Sequence, residues 1–302
     1  KIYPQLDRDN RLRTGFNLHG TTSGRLSSSG KMNMQQIPRD NPIVKGCIKA
    51  KPGNKIVAMD LTTAEVYVAA VLAEDKNLQK VFQDGGNFHS TIAKLVFGLP
   101  GDVDDIATNY STERQAAKAV TFGIMYGAGA NKISQQVTQD SGKYFSVNNA
   151  QEVIDDYFRQ FFKLRAWIDK SSKFIRDNGF IYSHYGRKRR LPNVNSDNRG
   201  IQSHEVRSGM NFLVQSVASD INLLGAIDTH NAIDSSKAKI FALVHDSILA
   251  EVSIDYVDEY SKIVKDCVQK DRGLSIPGTP VGCDFDIGDD YSFGKFEKMY
   301  DI

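Results

Sequence analysis

The stretch Lys55-Ile56-Val57-Ala58-Met59-Asp60-Leu61-Thr62-Thr63-Ala64-Glu65-Val66-Tyr67 decides how the rest of the chain is read. Its apolar run, Ile56 to Met59, has the length and character of a buried strand, and it ends on a carboxylate. After Asp60 the pattern changes period. Ala64, Val66, Tyr67, Ala70, Val71 and Leu72 fall near a 3.6-residue repeat, with Thr62 or Thr63 as the cap and Glu65 in the first turn. A strand running straight into a helix sets Asp60 at the junction. A second acid, Asp246, stands in Leu243-Val244-His245-Asp246-Ser247 between two apolar runs, the pattern of a hairpin with a carboxylate at its tip. Two such side chains can meet and hold divalent cations about 3.5–4 Å apart, as phosphoryl-transfer sites require. Acids at turns also cap helices or face water, so the pair alone leaves both readings open.

The bulk composition narrows the class. The chain has 302 residues, 40% hydrophobic and 25% charged, with a net charge of +2. These values fit one or two globular domains and exclude a disordered chain. No apolar run approaches the roughly 18 residues of a membrane span. Lys1-Ile2-Tyr3-Pro4 has no signal-peptide pattern, so no membrane partner and a cytoplasmic location, in a bacterium or a phage-infected cell, are expected. The absence of an initiator Met points to a fragment, a processed product or the later part of a longer polypeptide. Cys47, Cys267 and Cys283 are odd in number and show no paired spacing, which supports neither a disulfide framework nor structural zinc. Two basic clusters, Arg187-Lys188-Arg189-Arg190 and Arg8/Arg11/Arg13, suit either a nucleic-acid surface or a solvated face.

The first fifty residues, rich in Gly, Ser, Thr and Asn, suit short strands and loops, with Leu12 to Leu18 alternating. From about Asn87 to Tyr182 the chain reads as almost wholly helical, interrupted at Gly98-Leu99-Pro100-Gly101, Gly127-Ala128-Gly129 and Gly142. Further helices are expected at about 200–230 and 257–269. Cys283-Asp284-Phe285-Asp286-Ile287-Gly288-Asp289-Asp290 lacks the closing Glu of a calcium loop and reads as a polar loop.

Within the helical region Arg114, Lys118, Phe122 and Tyr126 recur every four residues, along one drifting stripe about 18 Å long. Two cations followed by two rings can bind phosphates at one end and stack a base at the other. An exposed Arg/Lys pair beside two core aromatics produces the same spacing. Gly123 and Gly127 each cost up to about 1 kcal/mol in a helix. They suggest that something approaches the backbone closely, although a C-cap at Gly127 would explain one of them.

Five ordered stretches then carry a resemblance. They are Thr22-Ser23-Gly24-Arg25-Leu26-Ser27-Ser28 with Asn33-Met34-Gln35-Gln36-Ile37-Pro38; the Asp60/Glu65 segment; the Arg114–Tyr126 helix; Arg207/Asn211/Gln215; and Val244-His245-Asp246. Together they resemble the palm and fingers of family A DNA polymerases, the bacterial polymerase I enzymes and their bacteriophage relatives. The resemblance implies an α+β fold, a palm with an antiparallel sheet and a mainly helical fingers domain. It puts the palm at 1–72 and 205–302 and the fingers at 73–204.

By the same resemblance the chain is a DNA-directed DNA polymerase, with primer-template DNA and dNTPs as partners. Asp60, Asp246 and the main-chain carbonyl of Leu61 then bind two Mg²⁺ ions. Arg114 and Lys118 hold the triphosphate, Lys118 can protonate the departing pyrophosphate, and His89 touches the phosphates. Glu65 beneath Tyr126 is the steric gate against a ribose 2′-hydroxyl, while Phe122 packs on sugar and base and disfavours dideoxynucleotides. Arg207, Asn211 and Gln215 form a polar row suited to minor-groove acceptors, which vary little with sequence. Arg25, Gln35, Gln36 and His245 are further primer-template contacts.

Some positions depart from the family pattern. The usual Asp-Tyr-Ser-Gln-Ile-Glu-Leu-Arg is here Asp60-Leu61-Thr62-Thr63-Ala64-Glu65-Val66-Tyr67, and the acid that normally follows the second metal aspartate is Ser247. Two carboxylates then remain near the metals, as in a divergent, phage-like branch. A thumb and exonuclease segment, in the same or a separate polypeptide, is expected upstream. Two other readings share these features: a single-subunit RNA polymerase, which Glu65 argues against, and a silent nucleic-acid-binding subunit, which the retained Asp60, Asp246, Arg114 and Lys118 argue against.

Overall fold

The computed structural model of the chain describes residues 6–9, 11–30, 33–38 and 41–295, so Lys1-Ile2-Tyr3-Pro4 lies outside the described residues. The order begins β1 (Gly15–Asn17), β2 (Ser27–Ser29), α1 (Pro42–Gly46), β3 (Asn54–Thr62), α2 (Ala64–Leu72) and α3 (Lys76–Gln83). It continues α4 (Phe88–Phe97), α5 (Val103–Asn109), α6 (Ser111–Met125), α7 (Ala130–Ser141), α8 (Val147–Gln160) and α9 (Phe162–Asn178). Then come β4 (Phe180–Tyr182), β5 (Lys188–Arg190), α10 (Arg199–Ala232), β6 (Ala238–Val244), β7 (Ser247–Ser253), α11 (Val257–Val268) and β8 (Gly282–Gly288). The described strands pair antiparallel and combine with a long run of helices, α2 to α9, which makes the class α+β.

Two compact units divide these elements. One comprises Lys1–Thr62, Ala218–Arg272 and Val281–Ile302; the other comprises Thr63–Val217 and Gly273–Pro280. The divisions fall at 62/63 and 217/218, whereas the sequence reading put them at 72/73 and 204/205. The helix α2 goes with the helical unit because it packs on α3, α6 and α9. Its buried Tyr67 also donates to Thr279 O at 2.7 Å and accepts from Ile276 N at 2.9 Å, which ties in the 273–280 segment.

The first unit is built on a four-stranded sheet of order β6-β7-β3-β8, antiparallel throughout. Interior β3 is the expected apolar strand: Ile56, Val57, Ala58 and Met59 are each no more than 2% exposed. Asp60 is the first exposed side chain after them. On one face α11 packs against β3 and β7, burying Tyr260, Val264 and Val268 at four-residue spacing. The Cys283–Asp290 stretch, expected as a polar loop, is mostly strand β8, paired to β3 from Ile56↔Gly288 to Thr62↔Gly282. Cys283, Phe285 and Ile287 alternate with Asp284 and Asp286, a period-two pattern that the density of acids obscured.

The second unit packs α4 on α6, α6 on α7 and α7 on α8. Buried Asp75 caps α3 through Leu78 N at 3.0 Å and also accepts from Leu164 N at 2.9 Å, at the start of α9. The expected helical stretch ends earlier than Tyr182. Gly179, with φ +70°, caps α9, and β4 follows and pairs with β5. Strand alternation splits the basic run there: Arg187 donates to Ser216 Oγ at 2.5 Å and Arg189 to Ser208 Oγ at 3.1 Å, while the Lys188 ammonium sits 3.9 Å from the Phe180 ring centroid. The other basic cluster is partly neutralised, since Arg13 pairs with Asp7 and Asp9, each at 2.6 Å.

Candidate active site

The sheet of the first unit brings the two predicted aspartates together. β6 and β7 are joined by His245-Asp246 alone, and His245 takes φ +54°, the left-handed backbone that a two-residue hairpin demands. For a residue other than glycine this costs on the order of 1 kcal/mol. The register of β3 with β7 continues to Asp60↔Ser247, and Leu61 N donates to Asp246 O at 3.2 Å, so strand end and hairpin tip are bonded directly. Arg25 donates to Asp246 Oδ1 at 3.2 Å, and the Ser247 hydroxyl donates to Asp60 Oδ1. Both carboxylates thus carry a protein donor.

Thr63, one of the two expected caps, does stand at the N-cap of α2, but with φ +50° and no side-chain cap bond; Thr62 is still strand. This turn lets the chain leave the sheet just beyond Asp60. Two acids missed by the sequence reading, Asp284 and Asp286, lie on β8; Asp284 is opposite Asp60 in the register. Tyr291, also missed, has its phenol pushed up by burial and then by the charges of Asp60 and Asp286. Strand alternation in 283–287 was the available signal for the acids. Among the described residues no group of three or more His, Cys, Asp or Glu side chains forms a metal cage. Asp60 and Asp246 supply hard carboxylate oxygens, with Asp284 across the ladder from Asp60. That set suits Mg²⁺, which keeps several waters and uses one or two carboxylates plus substrate phosphates.

Around the hairpin, Gln35 Nε2 donates to Leu243 O at 3.2 Å and its Oε1 accepts from Ser28 N at 2.9 Å, so this side chain clips β2 to β6. Gln36 and His245 are exposed. Buried Asn222 Nδ2 donates to His245 O at 3.4 Å. Arg25, Gln35, Asn222 and His245 line a small polar cleft.

In the second unit α6 buries Ala116, Ala117, Val120, Thr121, Ile124 and Met125, which leaves the predicted Arg114/Lys118/Phe122/Tyr126 stripe outside the helix core. Neither ring is a core residue: Phe122 is half-buried and Tyr126 is 37% exposed. Arg114 reaches the start of α4, with Nε donating to Ser90 Oγ at 3.2 Å and Nη2 to Asn87 Oδ1 at 3.4 Å. His89 sits in the same turn, its ring 5.4 Å from that of Phe122. Burial, then the charges of Lys118 and Arg114, pull the His89 imidazole down to about 4, so it is neutral at pH 7. Its buried Nδ1 has no hydrogen-bond partner among the described residues. Two cations, a helix N-terminus and a neutral imidazole form a ready anion site.

Tyr126 donates to Glu65 Oε2, which joins the end of α6 to the first turn of α2. What approaches the two glycines is protein. A Cβ on Gly127, whose φ is +67°, would lie 2.6 Å from Arg207 Cγ and Cδ; one on Gly123 would lie 3.2 Å from Ala128 and Ile133. Arg207, Asn211 and Gln215 follow at four-residue spacing on α10, with Arg207 exposed and the buried Asn211 Oδ1 lacking a hydrogen-bond partner among the described residues.

The family model described as DNA polymerase family A matches residues 2–292. The DNA polymerase of Escherichia phage T5 is 49% identical over 325 residues, covering 99% of this chain and 38% of that protein. The thermostable DNA polymerase I of Thermus thermophilus is 31% identical over 291 residues, covering 95% of this chain and 33% of that protein. Among solved structures, the POL domain of Pol1 from M. smegmatis in complex with DNA primer-template and dNTP matches with a TM-score of 0.84 and 26% identity, over 97% of this chain and 50% of that one. The chain thus spans 38% or less of the length of these two sequence relatives. No described helix is long and apolar enough to cross a membrane.

Proposed function

The chain belongs to DNA polymerase family A, and from that premise we propose that it adds deoxynucleotides to a primer 3′-hydroxyl as a template directs. The observation that carries the reading is the bonding of the β3 end to the β6–β7 tip, which sets Asp60 beside the Asp246 turn. In this reading the first unit acts as the palm and the second as the fingers. The setting is the cytoplasm of a bacterium or a phage-infected cell, in keeping with the phage and bacterial relatives.

Asp60, Asp246 and the Leu61 carbonyl hold two Mg²⁺ ions. When bound, such ions lower the pKa of the attacking hydroxyl and offset the charge that develops on the leaving pyrophosphate. Arg114 and Lys118 bind and orient the triphosphate, and Lys118 is the proton donor to the leaving group. His89 contacts the phosphates as a neutral imidazole, whose desolvated environment an approaching anion would make more cation-tolerant. Phe122 packs against sugar and base, while Glu65, held by Tyr126, occupies the room a 2′-hydroxyl would need. Arg25, Gln35, Gln36 and His245 contact primer and template, and Arg207, Asn211 and Gln215 meet the acceptors that every base pair offers in the minor groove.

Primer extension tests the reading. In Mg²⁺ the parent is expected to extend a primer with dNTPs in preference to rNTPs, and Asp60→Asn or Asp246→Asn to lower the rate at least about a hundredfold. Extension by the variants at the parent rate, equal use of rNTPs, or no extension by the parent overturns it.

A further inference from the structure

We propose that Ser247 is a positioning residue that orients the Asp60 carboxylate for metal binding by a hydrogen bond where the family pattern has an acid. The inference rests on the reading of Asp60 as a metal ligand. Three observations support it. Asp60 and Ser247 are direct cross-strand partners in the β3–β7 register, so their side chains stand on the same face of the sheet. The Ser247 hydroxyl donates to Asp60 Oδ1. Its backbone is firmly held, because Ser247 closes the β6–β7 hairpin opposite Val244 and is followed by Ile248 and Leu249, which are 0% and 1% exposed.

The substitution changes the kind of control as well as the charge. A carboxylate at 247 would only accept hydrogen bonds and would repel Asp60 until a cation arrived. A hydroxyl at the same place donates, so it fixes the Asp60 carboxylate before any metal binds. Asp246 is treated alike, by the guanidinium of Arg25 at 3.2 Å. Asp284, opposite Asp60 on the other neighbouring strand, is a carboxylate and cannot take over the donor role when ionised. The site therefore depends on preset ligand orientation, and outer-sphere hydrogen bonds of this sort govern metal affinity.

The test is Mn²⁺ binding to the 302-residue chain, followed by calorimetry, for the parent, Ser247→Thr, Ser247→Val and Asp60→Asn. Thr and Val have nearly the same shape and differ in the hydroxyl. We expect Thr to bind Mn²⁺ within about twofold of the parent and Val about tenfold more weakly. Thermal melting checks that each variant is folded; if Val is not, Ser247→Ala makes the same comparison. Equal affinity for parent and Val, or Thr as weak as Val, overturns the proposal. If Asp60→Asn binds as tightly as the parent, the assignment of Asp60 as a metal ligand fails as well, a result distinct from failure of the Ser247 role alone.

Discussion

The phenolic oxygen of Tyr126 lies 2.5 Å from Glu65 Oε2 and donates to it, although 61 residues separate the two in sequence. Glu65 is only 8% exposed, and the phenol gives one of its oxygens a hydrogen-bond donor inside the protein. If this pair closes the space below the sugar, Tyr126→Phe loosens Glu65 and Glu65→Ala opens the space. Discrimination against rNTPs is expected to fall roughly tenfold for the first and further for the second, the worth of one charge-assisted hydrogen bond or more. Single-nucleotide insertion kinetics with matched dNTP and rNTP provide the check. Unchanged ratios in both variants would remove the gate from these residues.

His89 makes folding sensitive to acid. Its folded-state value, about 4, lies below the ordinary 6.5, because burial and then Lys118 and Arg114 oppose its protonation. Between those pH values the unfolded chain takes up a proton that the folded chain refuses, so this contribution is intact above about pH 6.5 and is lost as pH falls toward 4. His89→Asn cannot titrate. Its urea midpoint should decline less than that of the parent between pH 7 and pH 5, and parallel declines would show that His89 is not the sensor.

Tyr67 pins a segment distant in sequence to α2. Its side chain is 1% exposed and its hydroxyl serves Thr279 O at 2.7 Å and Ile276 N at 2.9 Å. Tyr67→Phe keeps the ring and strands both groups. A loss of about 2–3 kcal/mol is expected from chemical denaturation, since a buried donor and acceptor would go unpaired. A change under 0.5 kcal/mol would mean that water replaces the hydroxyl.

Gly127 has no room for a side chain. Its φ of +67° is a conformation L residues rarely take, and a Cβ would meet Arg207 Cγ and Cδ at 2.6 Å. Gly127→Ala should therefore cost about 1–3 kcal/mol in backbone strain and push the Arg207 stem aside. In the proposed enzyme, primer-template affinity should weaken together with Tm. Weakened DNA binding is the more telling of the two readouts, because strain alone would lower only the Tm.

Local patterns were legible in the sequence where one short-range period dominates. The apolar run 56–59 is the buried part of β3, the hairpin around Asp246 is β6–β7, and the helices expected at 200–230 and 257–269 are α10 and α11. Alternation in 283–287 was present but masked by acids, and the strand exists because β3 supplies its ladder. The Arg187–Arg190 run looked like one basic patch, yet the pleat sends successive side chains to different partners.

The sequence by itself determined which residue types stand at the ends of strands and along helix faces, because propensity and period act over a few residues. Tertiary structure alone decided that Ser247 faces Asp60, that Arg25 reaches Asp246 across 221 positions, and that Lys118 and Arg114 bear on His89. Strand register and helix packing select such partners through the whole buried core, and a one-residue slip would exchange every one of the sheet pairs.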